Sequence, residues 1–124
     1  MLETFVVGLG GFIGASGRYL ITKLCTKLFG SSLPYGTLLV NVTGGILMGL
    51  IMEISISTNL IPPNLRLFLT TGILGGLTTF STFSYETISM VNSGKYSLAL
   101  LNAGLNLFLS LLGIIIGKYI VQIA

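Results

Sequence analysis

The sequence predicts an all-α membrane protein with four transmembrane helices, and its composition and length carry the prediction. Only 7% of its residues are charged, against about 25% in a typical soluble domain, and its mean hydropathy is +0.98. A hydrocarbon core takes roughly 20 apolar residues per helix. Four such spans and their loops use nearly all 124 residues. We therefore expect one membrane domain over residues 1–124, with no additional soluble domain.

The first two spans are predicted at about residues 4–24 and 35–56. The N-terminus lacks the basic run of a cleavable signal peptide, so the first helix is expected to remain in the mature protein. Arg18 lies well inside span one, where a long cation either snorkels to the interface or attracts anions in a vestibule. Asn41 lies about two turns into span two. Its amide is suited either to helix–helix hydrogen bonding or to anion coordination.

The third span is predicted over residues 64–91, which is long for one straight crossing. A Gly75-Gly76 pair followed by β-branched Thr78-Thr79 is a poor continuous helix, so we expect a break near 75–79. Non-helical backbone at membrane depth is tolerated only where it is buried in protein or lines a water-filled cavity. The half-helix ends that a break of this kind creates are used to bind ions. The segment from Gly72 to Glu86 is therefore the main candidate for function.

Span four, predicted over 96–120, carries one polar stripe made by Asn102, Asn106 and Ser110 at four-residue intervals. A span of this kind faces another helix or an aqueous path.

Each of the four spans also has a pair of glycines four residues apart. In lipid, close backbone approach through small residues drives helix packing, so these pairs predict a dense bundle or an oligomer: Gly10/Gly14, Gly45/Gly49, Gly72/Gly76 and Gly113/Gly117.

Charge and residue types exclude several function classes. The net charge of +3 is small and scattered, so nucleic-acid binding has little support. The chain has no histidine, and its single Cys25 has no metal-ligand spacing around it. No nucleophile–base set for an enzyme can be assembled.

Basic residues are nearly balanced between the two membrane faces, which suggests insertion in both orientations and antiparallel pairing: Lys23, Lys27 and Lys95 on one face, Arg66 and Lys118 on the other.

Three segments closely resemble the small fluoride-channel family (Fluc, CrcB-type). They are Gly-Gly-Phe-Ile-Gly-Ala-Ser-Gly-Arg-Tyr at 10–19, Tyr-Gly-Thr-Leu-Leu-Val-Asn-Val-Thr-Gly at 35–44 and Gly-Gly-Leu-Thr-Thr-Phe-Ser-Thr-Phe-Ser-Tyr-Glu at 75–86. The resemblance implies an antiparallel, dual-topology homodimer with two fluoride pores, exporting fluoride passively across the plasma membrane (the bacterial inner membrane). It implies no protein partner besides the second copy.

The resemblance also assigns residues. It implies a structural sodium ion at the dimer's centre, bound by the backbone carbonyls of Gly75 and Thr78, and it maps the helix-one arginine, a vestibule cation, to Arg18. Its pore residues map onto one asparagine in span two, two phenylalanines and three hydroxyls after the break, and two positions in span four. These are Asn41, Phe80, Phe83, Thr79, Ser81, Thr82, Asn106 and Ser110.

Two other readings compete with the channel. A small dual-topology multidrug transporter has a similar size, but it needs a carboxylate deep in the membrane to bind protons and cations. Only Glu86 could approach that depth, and it follows the predicted break. A non-transporting assembly subunit would leave the polar stripe and the break unexplained.

Overall fold

The structure is a computed structural model that describes all residues from Met1 to Ala124. Four helical spans are long and apolar enough to cross a membrane, which confirms the four-helix prediction. Three are continuous: α1 (Leu2–Phe29), α2 (Tyr35–Ser57) and α6 (Tyr96–Ile123). They extend a few residues beyond the predicted spans, because helical backbone continues past the apolar core toward the interface.

The third span is built from several pieces. Helix α3 (Pro63–Leu67) leads into a π-helical segment (Phe68–Leu74), followed by the short α4 (Gly75–Leu77) and, after an interruption, by α5 (Ser81–Asn92). Pro63 lies at the first position of α3, where the missing N–H of proline removes no helical bond. This span is the one bent in mid-chain, as the sequence predicted.

The interruption lies at Thr78 to Phe80, which overlaps the C-terminal part of the predicted range 75–79. The backbone of Thr78 is extended, with φ −81° and ψ 157°, whereas Gly75 and Gly76 are helical. Gly76 packs directly on α1, because a Cβ at this position would lie 2.6 Å from the carbonyl oxygen of Gly11. This glycine therefore permits close approach, and the β-branched residues after it end the helix.

The bundle consists of two closely packed helix pairs, and the four predicted glycine pairs lie in their contacts. One pair is α1 with the span from α3 to α4, where a Cβ on Gly10 would approach the Cα of Gly72 to 2.8 Å. The other is α2 with α6, where a Cβ on Gly45 would lie 2.7 Å from the carbonyl oxygen of Ser110. The prediction that these glycines mediate helix packing is confirmed.

Gly117→Ala is expected to destabilise the protein. The added methyl group would collide with the carbonyl of Ile46 and approach the backbone nitrogen of Leu50 to 2.7 Å. Overpacking of this kind costs about 1–3 kcal/mol, so the thermal unfolding midpoint in detergent should fall. Gly104→Ala is the matched control, because a Cβ there meets nothing within 4 Å. Equal midpoints for the two variants would contradict the packing described.

The two ends of the bundle differ in their polar contacts. At one end Lys118 lies 3.8 Å from the carboxylate of Glu53, and Gln122 donates to the same carboxylate at 3.2 Å. At the other end the α1–α2 and α5–α6 loops meet around a cavity of about 300 Å³ whose lining includes Lys95 and Glu86. Each end is therefore polar and suited to the water interface.

Candidate functional site

A cavity of about 340 Å³ lies beside the interruption of the third span. It is formed by three segments far apart in sequence: the middle of α2, the interruption itself and the middle of α6. Glycines and long apolar side chains make up part of its wall. Its polar or aromatic lining residues, Asn41, Thr78, Thr79, Phe80, Asn106 and Ser110, include several that the sequence predicted.

Asn41 forms two hydrogen bonds with the unwound backbone at Thr79. Its Nδ2 donates to the carbonyl oxygen of Thr79 at 3.1 Å, and the backbone N–H of Thr79 donates to its Oδ1 at 2.8 Å. The second amide hydrogen goes to Oδ1 of Asn106, on α6, at 2.9 Å. The side chain thus replaces helical hydrogen bonds that Thr79 lacks, and it joins three segments.

The hydrogen bonds continue along α6 and return to α5. Nδ2 of Asn106 donates to the carbonyl oxygen of Asn102 at 2.9 Å and to its Oδ1 at 3.2 Å. Nδ2 of Asn102 donates to the hydroxyl of Thr87 at 2.9 Å, and that hydroxyl donates to the carbonyl oxygen of Phe83 at 2.8 Å. We call this series, Thr79–Asn41–Asn106–Asn102–Thr87, the carboxamide chain.

Each amide in the carboxamide chain has one allowed orientation. Turning Asn41 by 180° would bring its oxygen against two acceptors, the carbonyl of Thr79 and Oδ1 of Asn106, and its NH₂ group against the N–H of Thr79. Turning Asn106 would bring its NH₂ group against that of Asn41 and its oxygen against the carbonyl of Asn102. Buried polar groups left unpaired are costly. Since Asn102 is 0% and Asn106 4% exposed, the arrangement is fixed.

Two phenylalanine rings flank the start of α5. The ring centroids of Phe80 and Phe83 are 5.6 Å apart with planes tilted by 59°. Phe80 lines the cavity and is 80% exposed within the single chain, while Phe83 is half-buried. Tilted rings present their edges, which carry partial positive charge, in different directions.

The hydroxyl groups near the break are partly free to donate. The hydroxyl oxygen of Thr79 accepts from the backbone N–H of Thr82 at 3.2 Å and lies 3.5 Å from the hydroxyl of Ser81. Ser110 lines the cavity, and neither its hydroxyl nor that of Thr82 is engaged by another protein group. These protons are available to a small anion, whereas both amide protons of Asn41 already have acceptors.

Backbone carbonyls are also left without donors at the interruption. In a continuous helix the N–H of Thr79 would bond to the carbonyl of Gly75, but here it bonds to Asn41. The N–H of Thr82, which would serve the carbonyl of Thr78, bonds to the hydroxyl of Thr79 instead. Neither carbonyl accepts a backbone hydrogen bond. Free carbonyl oxygens are the ligands that a hard cation takes, so these two fit sodium.

Arg18 lies against the third span. Its Nε donates to the carbonyl oxygen of Gly76 at 3.0 Å, in a part-buried position. The cation therefore satisfies one carbonyl at the end of α4, between those of Gly75 and Thr78, which accept no backbone hydrogen bond. This hydrogen bond holds the Arg18 side chain beside the break, whereas a snorkelling arginine would extend toward the membrane interface.

The predicted site residues fall into three places. Asn41, Thr79, Phe80, Asn106 and Ser110 line the cavity at the break. Ser81, Thr82 and Phe83 are on the first turn of α5, directly after it. Arg18, Gly75 and Thr78 surround the end of α4, and Thr78 also reaches the cavity wall.

Sequence reasoning missed Thr87 altogether and placed Asn102 only in a polar stripe. Thr87 is four residues after Phe83, so its helical spacing was a signal that could have linked it to the pore residues. It also gave no role to Thr37, a buried residue of α2 whose hydroxyl lies beside the carboxylate of Glu86. Both contacts join α5 to another helix.

Comparison with known proteins gives matches over nearly the whole chain. The family model "CrcB-like protein, Camphor Resistance (CrcB)" matches residues 5–118. A fluoride-specific ion channel FluC of Clostridium perfringens (strain 13 / Type A) is 55% identical over 123 residues, which cover 99% of this chain and 96% of that protein. The FluC of Clostridium novyi (strain NT) is 54% identical over 118 residues, covering 95% and 92%.

A more distant relative gives the same picture. The FluC of Sorangium cellulosum (strain So ce56) is 42% identical over 122 residues, covering 98% of this chain and 96% of its own length. The matches include the interruption and all four apolar helices. The chain is therefore a multi-pass membrane protein and belongs to the CrcB-like family.

Proposed function

We propose that this protein is a channel that lets fluoride leave the cell passively across the plasma membrane. The observation that carries the proposal is the cavity at the break. It is lined by uncharged hydroxyls, amides and an aromatic ring, and it lies beside backbone carbonyls that accept no backbone hydrogen bond. Its relatives are named fluoride-specific ion channels. An inside-negative membrane potential acts on an anion in the outward direction.

The chemistry of the lining suits a small, strongly hydrated anion. A narrow path must replace the water around fluoride with other donors, and hydroxyl protons can do this without a fixed charge. The ring edges of Phe80 and Phe83 add weak electrostatic attraction. Weak and multiple contacts favour conduction, because an ion must be able to leave each site. Asn41 contributes to anion binding when one of its two amide hydrogens exchanges its protein acceptor for the ion.

The polar cavity at the loop end extends the path toward water. It is about 300 Å³ in volume, and Glu86 and Ser89 of α5 contribute to its lining. Helix α5 begins directly after Phe80, which lines the cavity at the break, so it runs from that cavity toward the end cavity. In the proposed channel this end cavity is the aqueous entrance. The cavity at the break contains no carboxylate, which disfavours the multidrug-transporter alternative.

The functional unit we propose is an antiparallel homodimer with two pores. Gly75, with its free carbonyl, and the large ring of Phe80 are exposed in the single chain. Lipid cannot satisfy unpaired backbone groups at membrane depth, so a second copy is the best cover for this face. Cysteine tags at the C-terminus should become accessible from both sides of the membrane; labelling from one side alone would refute the antiparallel arrangement.

A sodium ion between the two copies completes the proposal. The carbonyl oxygens of Gly75 and Thr78 from each copy would hold it, and its positive charge would stabilise nearby anions and join the subunits. Purification with sodium replaced by a large organic cation should lower the thermal stability of the dimer, and sodium should restore it. A midpoint independent of the cation would argue against the site.

The decisive experiment is ion efflux from liposomes that contain the purified protein. Fluoride and chloride electrodes should be used in parallel, with valinomycin added to balance charge. We expect rapid fluoride release and negligible chloride release, because the hydroxyl donors of the cavity can replace the water around a small, strongly hydrated anion. If correctly folded protein released neither ion, the channel assignment would be wrong.

A further inference from the structure

We infer that Asn102 and Thr87 are positioning residues of the pore: they hold the first turns of α5, and with them Phe83 and the break, in the conducting geometry. The inference rests on the proposed fluoride channel. It concerns two residues that line neither the break nor its cavity. Asn102 is completely buried in α6, and Thr87 lies one helical turn beyond Phe83 on α5.

Within the single chain, α5 has little apolar anchorage. None of its twelve residues is fully buried, whereas α1, α2 and α6 each bury several residues at helix contacts. Its N-terminal end follows the unwound backbone of Thr78 to Phe80, which cannot hold it by helical hydrogen bonds. The position of α5 therefore depends strongly on specific polar contacts.

The carboxamide chain supplies such contacts at both ends of the segment from Thr79 to Thr87. Asn41 binds the backbone of Thr79, just before α5. Asn102 binds Thr87, two turns later. Asn106 connects the two asparagines. Together with the α5 backbone they form a closed ring, with Phe80 and Phe83 on the segment that it encloses.

The ring couples the orientation of each amide to that of the next. Oδ1 of Asn102 accepts from Asn106 only while its own NH₂ group points to Thr87. Asn106 in turn presents an oxygen to Asn41 only while its NH₂ group points to Asn102. The hydroxyl of Thr87 is the acceptor at the end of this series. Losing it leaves an amide hydrogen of the buried Asn102 unpaired and removes the side-chain hydrogen bond that joins α5 to α6 at this turn.

Thr87→Val tests the inference with almost no change in shape. Valine removes the hydroxyl that accepts from Asn102, whereas Thr87→Ser keeps it. We expect fluoride efflux from liposomes to fall at least tenfold in Thr87→Val and to remain within about twofold of wild type in Thr87→Ser. Thr43→Val is the matched control, because the Thr43 hydroxyl bonds only to carbonyls of its own helix.

Asn102→Leu and the double variant give an independent measure. Both single substitutions break the same hydrogen bond, so the double variant should conduct no worse than the worse single variant, whereas independent effects would multiply. Dimer mass and the thermal midpoint of each variant separate slow conduction from misfolding. If Asn102→Leu fails to fold, Thr87→Val and Thr87→Ser still decide the question.

The outcomes distinguish this inference from the function that it builds on. If wild-type protein releases no fluoride, the proposed channel itself fails. If wild type conducts and Thr87→Val conducts equally well, the positioning role is wrong and the channel stands. If Thr87→Ser is as impaired as Thr87→Val, the hydroxyl is not responsible, and the inference is overturned in the same way.

Discussion

Asn41→Asp is expected to reduce fluoride efflux at least about a hundredfold while the protein remains folded. The carboxylate loses both donors and places an oxygen opposite two acceptors, the carbonyl of Thr79 and Oδ1 of Asn106. It also puts a negative charge beside the proposed anion path. At about 4 Å and an effective dielectric constant of 20, two like charges repel by about 4 kcal/mol, which corresponds to roughly a thousandfold in binding.

The measurement is initial fluoride efflux from liposomes, together with the mass of the detergent-solubilised protein. Asn59→Asp is the matched control, because it makes the same chemical change in the exposed connection after α2. It should conduct as wild type does. Full conduction by Asn41→Asp would show that fluoride efflux depends neither on the hydrogen bonds from Asn41 to Thr79 nor on the charge of the cavity wall at this position.

Phe80→Ile is expected to abolish most fluoride efflux with little effect on the fold of each chain. Within one chain the ring is 80% exposed, so its loss removes little packing. Isoleucine is apolar but has no polarised ring edge, and the proposed anion contact is lost. Efflux should fall by at least about tenfold, the equivalent of roughly 1.4 kcal/mol, with the helix content of the chain unchanged.

Phe5→Ile serves as the matched control, since Phe5 is an exposed ring on α1 that lines neither of the two polar cavities. If both phenylalanine variants were equally impaired, general membrane anchoring would explain the result and the pore assignment of Phe80 would be wrong. Normal efflux from Phe80→Ile would have the same consequence. A selective loss at Phe80 supports its place on the ion path.

The spans and the break were predictable from sequence because their signals are local. Hydropathy over 20 residues predicts each span, and the glycine pairs predict which faces pack closely. The pairing of Gly75-Gly76 with Thr78-Thr79 predicted an interruption. The interruption at Thr78 to Phe80 overlaps the C-terminal part of the predicted range 75–79, because packing of Gly76 on α1 keeps α4 helical until Leu77. Such tertiary contacts override local helix propensity.

The carboxamide chain was not predictable, because its bonds depend on how separate helices are rotated toward one another. Asn102 and Thr87 are 15 residues apart, and Asn41 and Asn106 are 65 apart. The polar stripe of α6 indicated a buried or wet face, but not which partner each amide would meet. Arg18 illustrates the same limit: its position within the span was clear, while its acceptor on Gly76 was not.

The π-helical segment limits how this sequence can change in length. Between Phe68 and Leu74 the backbone bonds span one more residue than in an α-helix, and the N–H of Gly75 reaches the carbonyl of Thr70. Deleting one residue here would restore ordinary helical bonds with little net rotation of the flanking helix, because the wider turns of the π segment already accommodate one additional residue. A second deletion would have no such reserve and would rotate the helix on one side by about 100°, which would turn Gly76 away from α1. The third span should therefore tolerate the loss of one residue between Phe68 and Leu74, but not of two.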